Sequence, residues 1–265
     1  MVWTFTLLGL ITGILLNICA DSLPASRRLR RPVCLYCQRP RSPGAWSGVV
    51  AYLIRRHRCP SCGAPISIRH VIVELVTALF FAFCWLRGGA IRIILLNALY
   101  GTVFILVAVT DLEHRLIPHA IMLPAIALAT AGAFVNPSFG FPAKGLLGGG
   151  IGLVSALGLY ALGGVFTGII GQVRQRPVAE TAFGFGDVTL ITFIGLVSGA
   201  PEILFALAIG LLSGGGFAAL FLLIQGVFRK KYTPFTAVPY GPFLILGGVV
   251  MLYFGAEFMA WYAGG

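Results

Sequence analysis

The sequence is short of charge, and above all of negative charge. Asp and Glu together number 8 in 265 residues, and all charged residues make up only 10% of the chain. A soluble domain carries about a quarter charged residues, so this chain cannot solvate a globule of its size. Six cysteines are too few for a disulfide scaffold, and the 35 glycines show no three-residue period that would indicate a collagen helix. Disorder is excluded from the other direction, because 58% of the residues are apolar. There is no internal repeat and no glycine-rich dinucleotide-binding segment of the Rossmann type.

What the chain does have is long apolar runs, with a mean hydropathy of +0.95. A helix rises about 1.5 Å per residue, so about 20 apolar residues cross the hydrocarbon. The pattern predicts an all-α polytopic membrane protein with eight spans, at 2–23, 70–86, 91–110, 118–136, 145–171, 187–200, 202–228 and 236–262. The first run lacks a basic segment before it and is followed by Arg27 and Arg28, which predicts an uncleaved span with its N-terminus outside.

The net charge of +11 and the pI near 9.9 invite a nucleic-acid reading. Distribution argues otherwise. With eight spans, all of the 19 Lys and Arg residues except Arg87, Arg92 and Lys144 fall on one side of the membrane. The positive-inside rule places that side in the cytoplasm. The charge then reads as a topology signal with anionic lipid as its counter-charge, and no nucleic acid is required. Gly148/Gly152 and Gly210/Gly214 lie four apart inside spans, a spacing that lets helices pack closely.

Residues 24–69 are the one sizeable polar segment, and they hold Cys34-Leu-Tyr-Cys37 and Cys59-Pro-Ser-Cys62. Two C-x2-C pairs at this spacing match a four-thiolate Zn2+ site, in which the metal supplies folding energy to a loop too small for its own core. Two disulfides or four idle thiols are the competing readings; a reducing cytosol disfavours the first. Cys19 and Cys84 fall in spans and read as packed side chains.

Among the acids, Asp111 and Asp187 stand out, since both sit at cytoplasmic span ends. Asp111 lies in Thr110-Asp111-Leu112-Glu113-His114-Arg115, and Asp187 follows Gly184-Phe185-Gly186. Two carboxylates that share a site divide one proton, giving a general base and a general acid without a metal or covalent intermediate. The glycines would let backbone approach a substrate closely. Each aspartate also has a structural reading, Asp187 as a helix cap and Asp111 as a partner of Arg115. A transporter is the alternative function class, since broken spans and intramembrane acids occur there as well. Glu113 and Glu180 lie close to the two aspartates and are candidate receivers of a basic substrate segment.

The order of these features resembles the type IV prepilin peptidases, the GxGD aspartic proteases that act as leader peptidase and N-methyltransferase. The resemblance runs through Gly13-Ile-Leu-Leu-Asn17, the paired cysteine motifs, Ile66-Ser-Ile-Arg69 with Val73-Glu74-Leu75, Asp111 with Ile117-Pro118, Gly184-Phe-Gly186-Asp187-Val188 and Val238-Pro-Tyr-Gly241-Pro242. It covers nearly the whole chain. It implies removal of a short basic leader, after a Gly, from prepilins or type II secretion pseudopilins at the cytoplasmic face of a bacterial inner membrane. It also implies methylation of the new N-terminus from S-adenosylmethionine.

On that resemblance Asp111 and Asp187 are the catalytic pair, Gly184, Phe185 and Gly186 position substrate, and Asn17, Arg69 and Glu74 serve the methyl transfer. The implied organisation is a first helix (1–23), a zinc-binding loop domain associated with methylation (24–69) and a membrane peptidase domain (70–265). The chain departs from the family pattern at Ile14-Leu15, at Asp21-Ser22-Leu23-Pro24 and at Thr189, where a lysine is common.

Overall fold

The computed structural model describes residues 1–26, 29–34, 36–135, 142–174, 183–228 and 239–264. Among these the regular structure is helical: α1 (Val2–Ser26), α2 (Gly48–Leu53), α3 (Ile68–Arg87), α4 (Ile91–His114), α5 (His119–Val135), α6 (Pro142–Arg174), α7 (Phe185–Ser198), α8 (Glu202–Phe228) and α9 (Gly241–Gly264), with one 3-10 turn at Pro43–Ala45. Six of them, α1, α3, α4, α6, α8 and α9, are long and apolar enough to cross a membrane. Helices α5 and α7 are also apolar but shorter, at 17 and 14 residues. Eight apolar helices thus stand at the positions of the eight expected spans.

Their ends differ from the expectation for local reasons. Helix α4 continues past residue 110 to His114, so Asp111 lies within its last turn. Helix α7 stops at Ser198, because Gly199 adopts φ +81 and ends the helical path. Helix α9 starts at Gly241, and residues 236–238 lie outside the described set.

The chain divides into two compact units, Met1–Thr110 and Asp111–Gly265, with the boundary inside α4. In the first unit α1 lies against α3. A Cβ at Gly9 would meet Ala78 Cα at 2.8 Å, and one at Gly13 would meet Glu74 Cα at 2.7 Å. Small residues four apart therefore set the close approach of the two helices. Between them runs the polar loop that contains α2.

In the second unit α7 is the central helix and packs against α5, α6, α8 and α9. It is apolar on every face, and Val188, Leu190, Ile191, Phe193, Ile194, Leu196 and Val197 are all buried. A helix of that composition belongs inside a bundle. At about 1.5 Å per residue its length falls short of the roughly 30 Å hydrocarbon layer. The expected close packing at the glycine pairs is present. Gly148 sits on the backbone of Gly195 and Gly199, Gly152 on Ile191, Gly210 on Leu244 and Gly214 on the Tyr240 ring.

Candidate functional site: two aspartates and a cysteine cluster

Within the second unit, Asp111 and Asp187 come from different helices, and each is held by a glycine amide. The Gly241 N–H donates to Asp111 Oδ2 at 3.1 Å, and the Gly184 N–H donates to Asp187 Oδ2 at 2.9 Å. The two carboxylates are near enough for their charges to interact. Asp111 is 6% exposed and Asp187 half-buried. Glycine at 241 is a steric requirement, since a Cβ there would lie 2.5 Å from Asp111 Oδ2. Glycine at 186 is another, because a Cβ would meet Ile117 Cβ at 2.8 Å. The turn that follows α4 is thereby seated against the start of α7.

Asp187 is the third residue of α7, and its bond to the Gly184 amide is a helix cap. The cap leaves Oδ1 for other work. Among the described residues no close ion pair joins Asp111 to Arg115; the Arg115 charge acts on the carboxylate from farther off, and the Arg115 amide bonds to the Asp111 carbonyl. Phe185 is exposed, with its ring edge-to-face with His119 at 5.6 Å and with Tyr160 at 6.3 Å. Tyr240 donates its hydroxyl hydrogen to the Leu211 carbonyl at 3.1 Å and lies within the field of Asp187. Thr189 bonds back to the Gly186 carbonyl. Glu113 is exposed beside His114, and Glu180 lies outside the described residues. Gly241 and Tyr240 had no assigned role in the sequence, although both stand in its Val238–Pro242 motif.

In the first unit the four motif cysteines converge, with their sulfur atoms all within 4.8 Å of one another. Cys34 and Cys62 lie 3.6 Å apart, and Cys37 and Cys59 lie 3.7 Å apart. These separations exclude disulfides, whose sulfurs bond at about 2.05 Å. They suit tetrahedral thiolates about 2.3 Å from a common centre. The two C-x2-C turns are built alike. The amide of Gln38 bonds to the Cys34 carbonyl, and that of Gly63 to the Cys59 carbonyl, at 2.9 and 2.8 Å. The residue after each second cysteine is left-handed, Gln38 at φ 59 and Gly63 at φ 73.

The amides of Ser61 and Cys62 push the Cys59 thiol down to about 6. Cys62 is pulled down by the Ala64 amide but pushed further up, to about 12, by desolvation and by its bonds to the other three sulfurs. Four thiolates cannot coexist there without a cation to neutralise them, so the donor set fits a metal ion.

The other three predicted residues, Asn17, Arg69 and Glu74, meet in one buried polar network. Glu74 is fully buried, and its carboxylate accepts from Ser47 Oγ at 2.6 Å, Gly48 N at 2.7 Å, Val49 N at 3.1 Å and Asn17 Nδ2 at 3.3 Å. It thereby caps α2 from a neighbouring helix. Arg69 pairs with Asp21, whose other oxygen meets His70 Nε2 at 3.1 Å, and Asn17 also donates to the His70 carbonyl at 3.0 Å. Ser47, His70 and Asp21 were not singled out from the sequence as site residues. Only their distance from one another along the chain concealed them.

The described residues thus place a glycine-anchored aspartate pair in one unit of apolar helices and a four-cysteine cluster in the other. Residues 7–88 match the Bacterial Peptidase A24 N-terminal domain, and residues 98–219 match the Type IV leader peptidase family. Three relatives named prepilin leader peptidase/N-methyltransferase illustrate the breadth of the likeness. The one from Bacillus subtilis is 26% identical over 96% of this chain and 94% of its own length. The Legionella pneumophila relative is 28% identical over 89% and 76%. The one from Xanthomonas campestris pv. campestris is 30% identical over 80% and 68%. No solved structure matches. The chain belongs to the type IV leader peptidase family and is an enzyme of the peptidase class.

Proposed function

We propose that the chain is an aspartic endopeptidase of the bacterial inner membrane that cuts prepilins or pseudopilins after a leader Gly, with Asp111 and Asp187 as its catalytic pair. The observation that carries this reading is that both aspartates, from separate helices of one unit, are held by glycine amides with their charges in mutual reach. One carboxylate, ionised, takes a proton from water as the water adds to the scissile carbonyl. The other, protonated, gives its proton to the carbonyl oxygen. When the gem-diol intermediate collapses, the C–N bond breaks: the carboxyl that took the proton from water gives it to the leaving amine, while the other carboxylate takes the proton of a gem-diol hydroxyl, which restores the shared-proton state. Gly184, Phe185 and Gly186 line the approach to Asp187 and position the peptide. Glu113 and Glu180 receive leader cations.

The positive-inside asymmetry supports an active site at the cytoplasmic face. Residues 70–265 form the peptidase part in this reading, behind the first helix (1–23) and the loop domain (24–69). The loop domain holds structural Zn2+ through Cys34, Cys37, Cys59 and Cys62, where the metal clamps two turns together and takes no part in proteolysis.

A second reading, N-methylation of the new N-terminus, follows from the relatives' names and the match over residues 7–88. Asn17, Arg69 and Glu74 act there as positioning residues that hold α1, α2 and α3 together. S-adenosylmethionine carries a cationic sulfonium. The acids of the first unit are Asp21 and Glu74 alone, and both are engaged as described above. Neither carboxylate is therefore assigned to the sulfonium, and the part of this network in methylation is to hold the three helices in place.

The test is mass spectrometry of a co-expressed prepilin with the wild-type chain, Asp111→Asn and Asp187→Asn. Each variant, folded in detergent, should leave the precursor uncut; full cleavage by either would remove that residue from the pair. The mass of the wild-type product reads methylation in the same experiment.

A further inference from the structure

The polar loop of the first unit contains a cavity of about 560 Å³ whose wall includes Arg39, Arg41, Arg55, Arg56 and Arg58. No acid lines it, and residues 24–69 contain no Asp or Glu at all. Among the described residues, Arg39 alone of the five guanidiniums is tied to a neighbouring side chain, through its bond to Ser61 at 3.1 Å. Arg41 is half-buried and the other four are exposed. Ser42, Ser61 and Ser67 add hydroxyl donors to the same wall. Cys34 and Cys59 of the metal cluster also line the wall, but the five guanidiniums outnumber them. A concave, donor-rich site with that excess of cations selects a phosphate group.

What stands beside the cavity indicates where that phosphate comes from. Immediately before Arg55 and Arg56, Leu53 is 78% exposed and Ile54 48%, an unusual cost for a loop facing only water. Trp46 is exposed on the same segment, its indole N–H bonded to the Arg41 carbonyl at 3.1 Å. Aliphatic residues and a tryptophan flanked by arginines are the composition of a segment lying in the membrane interface. The segment is also tied to the helices by the Glu74 cap on α2, so it stays close to the ends of α1 and α3.

We infer that the arginine-lined cavity of the cysteine loop binds the phosphate of an anionic phospholipid headgroup, while Leu53 and Ile54 enter the acyl boundary. The site holds the loop on the membrane surface. This inference rests on the membrane-spanning reading of the chain, not on its peptidase assignment.

The full-length protein in detergent is examined by native mass spectrometry with dioctanoyl phosphatidylglycerol, dioctanoyl phosphatidylcholine or inorganic phosphate. The same titrations are run on Arg55→Gln/Arg56→Gln/Arg58→Gln and, as a same-loop control, on Arg30→Gln/Arg31→Gln. The expected result is one tightly retained phosphatidylglycerol, with affinity lowered about tenfold or more in the triple variant and little changed in the control. Equal retention of phosphatidylcholine, or an equal loss in the control, would overturn the site. Phosphate binding as tightly as phosphatidylglycerol would overturn the lipid assignment. Retained metal stoichiometry shows that the triple variant is folded; if it is not, Arg56→Gln and Arg58→Gln are measured singly. Running the titration on Asp187→Asn keeps the result separate from proteolysis, because that variant should bind lipid like the wild type.

Discussion

The Gly241 amide bonds to the Asp111 carboxylate at 3.1 Å across 130 residues of chain, and the glycine's missing side chain leaves the space that the carboxylate occupies. One residue thus orients the aspartate with its N–H and makes room for it.

Gly241→Ala should therefore displace Asp111. The added Cβ would lie 2.5 Å from Oδ2, so the carboxylate must swing away from the amide. Misplacement of a catalytic group by about 1 Å costs about a hundredfold in rate. Cleavage kinetics on a purified prepilin should show that loss in kcat, with the detergent melting curve close to wild type.

Glu74→Gln should destabilise the first unit. The substituted amide would turn an N–H2 towards donors now served by a carboxylate oxygen, at Ser47 and Val49 or at Gly48 and Asn17. An unsatisfied buried group costs about 1–3 kcal/mol. Thermal unfolding in detergent should fall accordingly, while Glu74→Asp, which keeps the charge, should recover part of the loss.

Removal of metal should open the cysteine loop. Elemental analysis of the purified protein should find about one zinc per chain, lost in Cys59→Ser. Limited proteolysis should then cut between the two C-x2-C turns, which are otherwise held by the sulfur cluster. A metal-free wild-type protein whose loop still resists protease would refute the structural role of zinc.

Gly148→Val should weaken the α6–α7 pair. The glycine touches the backbone of Gly195 and Gly199, and backbone cannot rotate out of the way. Overpacking of this kind costs about 1–3 kcal/mol. Because α7 carries Asp187, both the melting temperature and the cleavage rate should fall together.

Glu113→Gln tests the electrostatic reading of leader recognition. An exposed ion pair contributes at most about 1 kcal/mol, so KM for a basic-leader substrate should rise about two- to fivefold with kcat unchanged. A substrate whose leader lysines are replaced by glutamine should show no difference between the two proteins.

Several of these features were legible along the chain. Cys34, Cys37, Cys59 and Cys62 declared a cluster through spacing, because each pair closes its own turn by local backbone bonds. The eight apolar helices declared themselves through length and composition, since hydrocarbon leaves no other partner for the backbone. Asp111 and Asp187 were conspicuous because so few other acids compete for notice.

What the sequence determined by itself was therefore whatever depends on neighbours in the chain or on the solvent: spans, cysteine turns and the rarity of acids. What only tertiary structure decided was the use of those parts. Glu74 became the cap of a helix begun 26 residues earlier, and Gly241 became the seat of Asp111, since contacts across such separations follow from helix packing. The short α7 could be recognised as apolar, yet its central place came from the glycine contacts that let α6 reach it. Packing at that range depends on the shapes of both partners, and no local pattern records the partner's shape.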